Sequence, residues 1–329
     1  MRTGIAAVFL IGCATTPSSP PDVTDPTDDD EDGVPDQLEA QIMERFGPEL
    51  RLAPDSEDWT RPANVEWYLS RVAMRFDQAG CPDDDILDTG KVTADNIHTQ
   101  KNFTKESGSG LCRRNDGAAD ERFSNKKHLE FFLQPADDAA VHAGIPPSRS
   151  SEWRTYIQVR KSGYVSPTNG PAAYDLQVWY FFPYNDNIAS ANHEADWEHL
   201  TISVSDDLEL VSVFFATHGD GHRIDDPTQL QFVEDTHVVG YIADGSHATY
   251  EKAGDHPGPV VDDHAYEGGP TWHSWKNFAN LGQVGKVLGD QTWARYGGRW
   301  GEVGATDTTS GPPGPMFNGK WDTKNEYPK

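Results

Sequence analysis

Short runs of alternating apolar and polar residues dominate the chain from about residue 153 onward. Side chains of a β-strand point alternately to two faces, so a two-residue period indicates a strand with one buried face. The strands predicted in this way span residues 153–159, 174–182, 198–204, 208–215 and 236–242. Turn residues separate them and no regular helix intervenes. The pattern therefore predicts a mainly β fold, an antiparallel β-sandwich with long irregular loops.

Two helices are predicted nearer the N-terminus. Apolar residues recur every three or four positions over residues 37–46, and a Gly-Pro pair ends this helix. A second helix is predicted to begin after Asn64, a favourable N-cap, and to run to Phe76. Residues 77–125 are acidic and rich in glycine, and are interpreted as an irregular insertion.

The charge balance narrows the set of partners. The 329 residues carry a formal net charge of −26. Nucleic acids and anionic bilayers attract basic patches, so neither is expected as a direct partner. Beyond about residue 255 the chain is irregular and rich in tryptophan. These indoles are expected to cap the core: Trp272, Trp275, Trp293, Trp300 and Trp321.

Residues 28–39 fit the calcium-loop pattern D-x-D-x-D-G-x5-E at every defined position. The predicted Ca²⁺ ligands are the side chains of Asp28, Asp30, Asp32, Asp36 and Glu39 and the backbone carbonyl of Val34. Pro26 and its neighbours exclude a helix before the loop, so it is half an EF-hand and resembles the single calcium loops of thrombospondin type 3 repeats. Calcium there would stiffen the junction between a tether, residues 14–27, and the folded domain. The alternative is a solvated acidic tether.

A second acidic stretch, residues 192–199, leads into a predicted strand. Asp196 and Glu198 share a strand face with apolar residues that follow them, so they need a cation, a basic partner or a proton. With His193 they predict a divalent-cation site, for Ca²⁺ or Mg²⁺ rather than Zn²⁺. Asn185 and Asp186, which end the preceding strand, are further candidate ligands. The alternative is a buried carboxylate network held by arginine or lysine.

The sequence contains no complete catalytic motif. It lacks a phosphate-binding loop, a dinucleotide-binding glycine pattern and a Gly-x-Ser-x-Gly elbow. Trp197 stands where the zinc-protease motif H-E-x-x-H requires its second histidine. His218, His222 and His247 lie near strand ends that cluster at one pole of a sandwich, so they are the candidate general acids or bases. Whether the protein is an enzyme stays open.

The first 13 residues are typical of an export signal, with a positive N-terminus and an apolar segment too short to span a bilayer. Their last four residues, which end at Cys13, resemble a bacterial lipobox. That resemblance implies cleavage before Cys13, lipid attachment to its thiol and, because Ala14 follows, an outer-membrane lipoprotein or a surface-exported protein of the bacterial envelope. This anchor is the only expected membrane attachment. The alternative is an ordinary signal with a chance cysteine.

The two remaining cysteines are Cys81 and Cys112. Export places them in an oxidising compartment, which predicts a disulfide between them. Two free thiols are the alternative. The predicted organisation is thus a signal at residues 1–13, a tether at 14–27, a calcium loop at 28–39 and one β-sandwich domain at 40–329.

Several separated motifs resemble the Vps62-related family, the vacuolar protein sorting 62 group. They lie at residues 179–185, 196–201, 245–248 and 297–302, and the resemblance extends over roughly residues 40–325. The family is poorly understood, so the resemblance supports the fold more than a function.

A more distant resemblance is to necrosis-inducing NPP1-like proteins. In that family a histidine, an aspartate and a glutamate hold a divalent cation, which implies the same role for His193, Asp196 and Glu198. The second histidine of the family motif is Ala195 here, and the upstream acidic ligand falls near Asn185. These departures count against toxin activity.

The predicted function is that of an envelope-anchored lipoprotein whose divalent-cation site binds a glycan or a lipid head group. One alternative is a metal-dependent hydrolase of an extracellular glycan or phosphoester, and another is a secreted NPP1-like toxin. A shallow site with exposed aromatic residues would favour binding, whereas a deep cleft with histidines near a metal-bound water would favour hydrolysis.

Overall fold

The computed structural model of the chain describes residues 23–77, 82–101, 119, 130–186, 192–258 and 261–328. Cys13, Cys81 and Cys112 lie outside these residues, so the predicted lipid attachment and disulfide stay predictions. In the described part of the chain, no helix has the length and apolar character needed to cross a bilayer.

Most of the regular structure is β. Within the described residues the α-helices are α1 (Asp36–Phe46), α2 (Val65–Leu69) and α3 (Asp138–His142). The strands are β1 (Glu49–Arg51), β2 (Val72–Phe76), β3 (Asp84–Leu87), β4 (Phe131–Pro135), β5 (Thr155–Lys161), β6 (Val165–Ser166), β7 (Gly170–Pro171), β8 (Tyr174–Asn185), β9 (His193–Val204), β10 (Leu210–Thr217), β11 (Asp220–Ile224), β12 (Phe232–Val233), β13 (His237–Ile242), β14 (Thr249–Tyr250), β15 (Gly254–His256), β16 (Asp263–Ala265), β17 (Thr271–His273), β18 (Phe278–Asn280), β19 (Gly282–Gln283) and β20 (Lys286–Val287). Short 3₁₀ helices lie at Ile97–Thr99, Pro147–Glu152, Pro227–Gln229, Ser274–Lys276, Thr292–Arg295, Asp307–Thr309, Pro315–Phe317 and Thr323–Glu326.

Two sheets form the body of the molecule. One has six strands in the order β11-β10-β9-β8-β5-β18, and the other has the order β12-β13-β1-β17 with β14 also paired to β13. Most neighbours are antiparallel, which confirms the predicted mainly β class. Among the strands that the structure describes, two pairings are parallel, β1 with β13 and β18 with β5. In both, a strand from one end of the chain pairs with a strand distant in sequence.

The two sheets face each other through the side chains of β8 and of β13–β14. The ring of Phe182 stacks on His247, with centroids 3.7 Å apart, and the Tyr180 hydroxyl bonds to the Thr249 hydroxyl. On the opposite face of β8 and β9, Phe181 and Trp197 pack against late aromatic residues of the chain. The predicted role of the late tryptophans is confirmed, because all five are at most 8% exposed.

The second predicted helix is the main departure from expectation. Asn64 caps α2 as predicted, since its side chain accepts a hydrogen bond of 2.7 Å from the Trp67 amide. The helix ends at Leu69, however, and Val72 begins strand β2, whose residues alternate between buried and half-buried. Strand β4 pairs with β2 along its whole length, so a distant partner decides the conformation of this segment.

Other predicted elements lie close to their expected positions. Helix α1 starts one residue before the predicted residue 37 and ends as predicted at Phe46. Strand β9 begins at His193, five residues earlier than the predicted 198, and so includes the acidic stretch. The predicted insertion at 77–125 is not wholly irregular, because it contains β3.

Candidate functional site

Strands β8 and β9 meet at one pole of the sandwich, where Asn185 pairs with His193. Ala195 interrupts the regular alternation of β9, because its φ is 60°, in the left-handed region that residues other than glycine rarely adopt. On one side of this residue, Glu194 accepts a hydrogen bond of 3.0 Å from the Glu302 amide. On the other side, Asp196 turns toward the second sheet. The carboxylates of Glu194 and Asp196 therefore contact different parts of the protein.

His193 uses its ring within its own strand. Its Nδ1 donates a hydrogen bond of 2.7 Å to the carbonyl oxygen of Ala195. Among the described residues, the groups of three or more potential ligands whose atoms lie within 4.8 Å of one another do not include His193 together with Asp196 and Glu198. Cation binding by these three residues stays a prediction.

Asp196 instead has a buried basic partner. His247 is fully buried, and its Nδ1 donates to Asp196 Oδ2 over 2.9 Å. Its Nε2 lies 2.8 Å from the Thr60 hydroxyl and 3.6 Å from Asp58 Oδ2. Burial alone would lower the pKa of His247, but hydrogen bonds to Asp196 and Asp58 and the charges of both carboxylates outweigh it and raise the pKa to about 9. The positive charge that compensates Asp196 is therefore the imidazolium of His247, whereas the alternative prediction named an arginine or a lysine.

The neighbouring polar residues complete this arrangement. Burial acts to raise the pKa of Asp58, but hydrogen bonds from His247 and Thr60 and the His247 charge lower it to about 2. Asn185 donates from Nδ2 to Asp196 Oδ2 over 3.1 Å, and its role as a cation ligand stays a prediction. We name Asp58, His247 and Asp196 the buried triad.

A second cluster lies beside the triad. Burial, followed by the charges of Asp196 and Asp263, raises the pKa of Glu198 well above its ordinary value. Asp263 Oδ2 accepts hydrogen bonds from His218 Nε2 at 2.8 Å and from the Tyr250 hydroxyl at 2.5 Å. The hydrogen bond to Asp263 raises the pKa of His218 against the opposing effect of burial.

The three candidate catalytic histidines therefore occupy different surroundings. His247 is enclosed and cannot touch a substrate. His222 lies on β11 and pairs with Glu251 over 2.9 Å. His218 keeps 27% of its side chain exposed while Asp263 behind it is buried, so this pair has the geometry of a positioned acid or base.

A shallow cleft of about 160 Å³, which we name the acidic cleft, opens at this pole. Trp59 lies at its rim, 45% exposed, and its indole Nε1 donates to Asp186 Oδ2 over 2.8 Å. None of the described residues that line the cleft is basic. Its carboxylates are those of Glu57, Asp58, Asp186, Asp244, Asp262 and Asp263.

Sequence reasoning found only part of this pole. Asp186 and His218 were candidates, and the structure brings Asp186 to the cleft and His218 to one of its carboxylates. Asp58 and Asp263 were not predicted. They lie in segments without a clear two-residue period, so no local signal marked them.

The predicted calcium loop is folded against the body of the domain. Asp28 accepts hydrogen bonds from the amides of Asp32 and Gly33 at 3.1 and 2.9 Å, and the Val34 amide donates to Asp32 Oδ1 over 2.7 Å. Gly33 has a φ of 89°, which explains the glycine at the turn. Gln283 donates to the backbone carbonyl of Asp30, which attaches the loop to β19.

Two carboxylates in this loop are buried without full pairing. Asp30 and Glu39 are each 1% exposed, and Asp30 Oδ1 and Glu39 Oε1 have no hydrogen-bond partner. Burial and neighbouring carboxylates raise the pKa of Asp30 to about 7 and that of Glu39 to about 9. Ligand atoms converge in two overlapping groups, Asp28 with Asp30 and Asp32, and Asp30 with Asp36 and Glu39. These acidic groups can hold a metal ion.

The fold and its acidic pole define a two-sheet β domain with carboxylate-rich sites. Residues 150–257 match the sequence profile of the family Vps62, described as vacuolar protein sorting-associated protein 62. This confirms over that stretch the resemblance predicted from separated motifs. The matched stretch contains β5 to β15, and thus Asp196 and His247. No curated protein matches the sequence.

The second predicted resemblance, to necrosis-inducing proteins, is also found among solved structures. Necrosis and Ethylene inducing Protein 2 from the causal agent of cocoa's Witches Broom disease is 12% identical, with a TM-score of 0.36 over 76% of each chain. NLPPya in complex with glucosamine is 10% identical, with a TM-score of 0.40 over 96% of this chain and 97% of that one. The non-toxic HaNLP3 protein is 11% identical, with a TM-score of 0.40 over 96% and 98%. Likenesses of this size do not establish a shared site.

Proposed function

We propose that this protein is a surface-exposed binding module that takes a glycan at the acidic cleft. The observation that carries the proposal is the exposed indole of Trp59 at the rim of a shallow cleft walled by carboxylates. The hydrogen bond from its Nε1 to Asp186 holds this indole in place at the rim. An indole face packs against the C–H face of a sugar ring, while carboxylates accept hydrogen bonds from hydroxyl or ammonium groups.

The cleft chemistry favours a glycan over a lipid head group. Six carboxylates repel a bare phosphate, whereas hydroxyl-bearing and amino-bearing sugars are attracted to them. A divalent cation in the cleft would strengthen this binding, because oxygen-coordinated Ca²⁺ or Mg²⁺ keeps positions for ligand oxygens. The cation site predicted at His193, Asp196 and Glu198, which do not line the cleft, is a separate part of this proposal.

A glycan array and titration calorimetry test the proposal. The mature protein is expected to bind a subset of neutral or amino-bearing glycans, and Trp59→Ala to weaken that binding by about tenfold or more. Val284→Ala, which shortens an exposed apolar residue remote from the cleft in sequence, is the matched control and should bind as the wild type does. Equal affinity of Trp59→Ala and the wild type would overturn the proposal, as would no glycan binding with or without divalent cations.

We also propose that the loop at residues 28–39 binds Ca²⁺ and fastens the N-terminal segment to the domain. The support is the burial of Asp30 and Glu39 with unpartnered oxygens, since uncompensated buried carboxylates are costly. Glu39 Oε2 already accepts a hydrogen bond of 2.7 Å from Asn280 of β18. A bound ion would thus join the loop, α1 and the edge of the six-stranded sheet.

A metal-dependent hydrolase is the second candidate, favoured by the pairing of His218 with buried Asp263. Hydrolysis of chromogenic glycosides and phosphodiesters in the presence of Mg²⁺ or Ca²⁺ tests it. An activity that His218→Gln removes without loss of glycan binding would make the protein an enzyme. If the wild type turns over none of these substrates, the hydrolase proposal fails and the binding-module proposal stands.

Attachment to the bacterial envelope belongs to the same proposal and depends on residues 1–13. Lipid labelling in cells is expected for the wild type and lost in Cys13→Ser. The tether at 14–27 and the single domain at 40–329 are the corresponding organisation. If the wild-type protein is recovered soluble and unlabelled, residues 1–13 act as an ordinary export signal and not as a lipoprotein signal.

A further inference from the structure

A third group of potential metal ligands lies away from the calcium loop, at the entrance of β9. Asp138, His142 and Glu194 place one ligand atom each within 4.8 Å of the others. Asp138 and His142 stand four residues apart on α3 and therefore share a face of this helical turn. Glu194 reaches the group from the strand, next to the left-handed Ala195.

The side chain of His142 is positioned but incompletely paired. Its ring stacks on Tyr184 with centroids 4.1 Å apart and planes 13° apart, which fixes the direction of its nitrogens. Nε2 is buried and has no hydrogen-bond partner, and Glu194 Oε1 lies 3.5 Å from it. A buried ring nitrogen with this geometry points toward a missing partner.

Glu194 is held in a similar way. Its Oε2 accepts a hydrogen bond from the Glu302 amide, which leaves Oε1 on the side of His142. Such a contact behind a ligating group orients it toward a metal. Asp138 is exposed, so the group is open to solvent on one side.

We propose that Asp138, His142 and Glu194 form an open site for a divalent transition metal, with Zn²⁺ as the best match. Unlike His193, whose Nδ1 bonds to a backbone carbonyl, His142 offers an unpaired Nε2. This nitrogen beside two carboxylates suits Zn²⁺, whereas Ca²⁺ and Mg²⁺ prefer oxygen ligands alone. Three protein ligands leave a fourth position for water or a ligand group. Because Tyr184 contacts His142 and also lies 5.9 Å from the Trp59 ring, the metal would stiffen the aromatic wall behind the acidic cleft.

Equilibrium dialysis and calorimetry with ZnCl₂, on the mature chain without a purification tag and saturated with Ca²⁺, test this site. His142→Phe keeps a ring for stacking on Tyr184 but removes the ligand nitrogen, and it should lower Zn²⁺ affinity by at least about tenfold. His264→Gln is the matched control, since His264 also pairs with a carboxylate, that of Asp255, at an exposed position. It should leave the affinity unchanged.

Cobalt provides a second measurement. Co²⁺ in a site of nitrogen and oxygen ligands gives visible absorption bands that are expected for the wild type and for the control His264→Gln. The bands should be lost in His142→Phe and weakened in Asp138→Asn, an exposed change that does not threaten folding. Unchanged Zn²⁺ affinity in both variants of this group, or no tight Zn²⁺ in the wild type, would overturn the proposal.

Discussion

The buried triad makes the stability of the protein depend on one proton. His247 lies between Asp196 and Asp58 with no exposure to solvent, so His247→Gln leaves two buried carboxylates without their cation. Breaking a buried pair in this way costs roughly 3–5 kcal/mol, because the remaining charge is still desolvated. We expect His247→Gln to lose about this much free energy of unfolding near pH 6.

The pKa of His247 gives a second estimate and a direction. Its pKa in the folded protein, about 9, lies above the ordinary 6.5, so the folded state holds the proton more tightly. The corresponding stabilisation is fully present below pH 6.5 and is lost as the pH rises through about 9. The difference in pKa corresponds to roughly 3 kcal/mol. It describes the same interaction as the loss on mutation and does not add to it.

Urea denaturation at pH 6 and pH 9.5 measures both quantities. The difference between wild type and His247→Gln should be about 3 kcal/mol at pH 6 and should shrink at pH 9.5. His222→Gln is the control, because His222 also pairs with a carboxylate but is 40% exposed, and its cost should stay below about 1 kcal/mol. A pH-independent difference, or one below that of the control, would refute an imidazolium in the triad.

Two further predictions concern the calcium loop and a glycine. Ca²⁺ at about 100 times its dissociation constant should stabilise the wild type against thermal unfolding by roughly 2.7 kcal/mol. Glu39→Gln should lose most of this stabilisation, whereas Glu44→Gln, a change at an exposed position of the same helix, should keep it. Equal stabilisation of the two variants would contradict a metal at Glu39. Gly144→Ala places a Cβ 1.9 Å from the Arg61 carbonyl oxygen, at a residue whose φ is +69°. It should lower the free energy of unfolding, measured by urea denaturation, by more than about 2 kcal/mol. In the control Gly219→Ala the new Cβ meets nothing within 4 Å, and the loss should be less than about 0.5 kcal/mol. Similar costs at the two glycines would show that the backbone at Gly144 relaxes.

Strand prediction succeeded where a strand has strong alternation and a neighbour close in sequence. Strands β8, β9 and β10 are antiparallel neighbours in chain order, and each carries a regular apolar face. The prediction that the helix after Asn64 continues through residues 70–76 failed for the opposite reason. The apolar residues of this segment fit a helical and a two-residue period equally well, and the pairing of β2 with β4 decides between them.

The candidate site divides along similar lines. The sequence indicated that Asp196 and Glu198 need compensation, because their strand face continues into the core. It could not identify the compensating group, since His247 reaches Asp196 only through the packing of one sheet on the other. The left-handed conformation of Ala195 was also beyond prediction, because alanine carries no local preference for it.

The position of β1 has a consequence for how the protein folds during its synthesis. This strand, Glu49–Arg51, lies between β13 (His237–Ile242) and β17 (Thr271–His273). Its two partners are synthesised some 190 and 220 residues after it, so β1 cannot be paired before then. Until the chain is nearly complete, β1 has an open edge that can pair with another polypeptide. Closure over such a sequence separation is slow. A chain emerging from a ribosome therefore stays incompletely folded until β13 and β17 have followed.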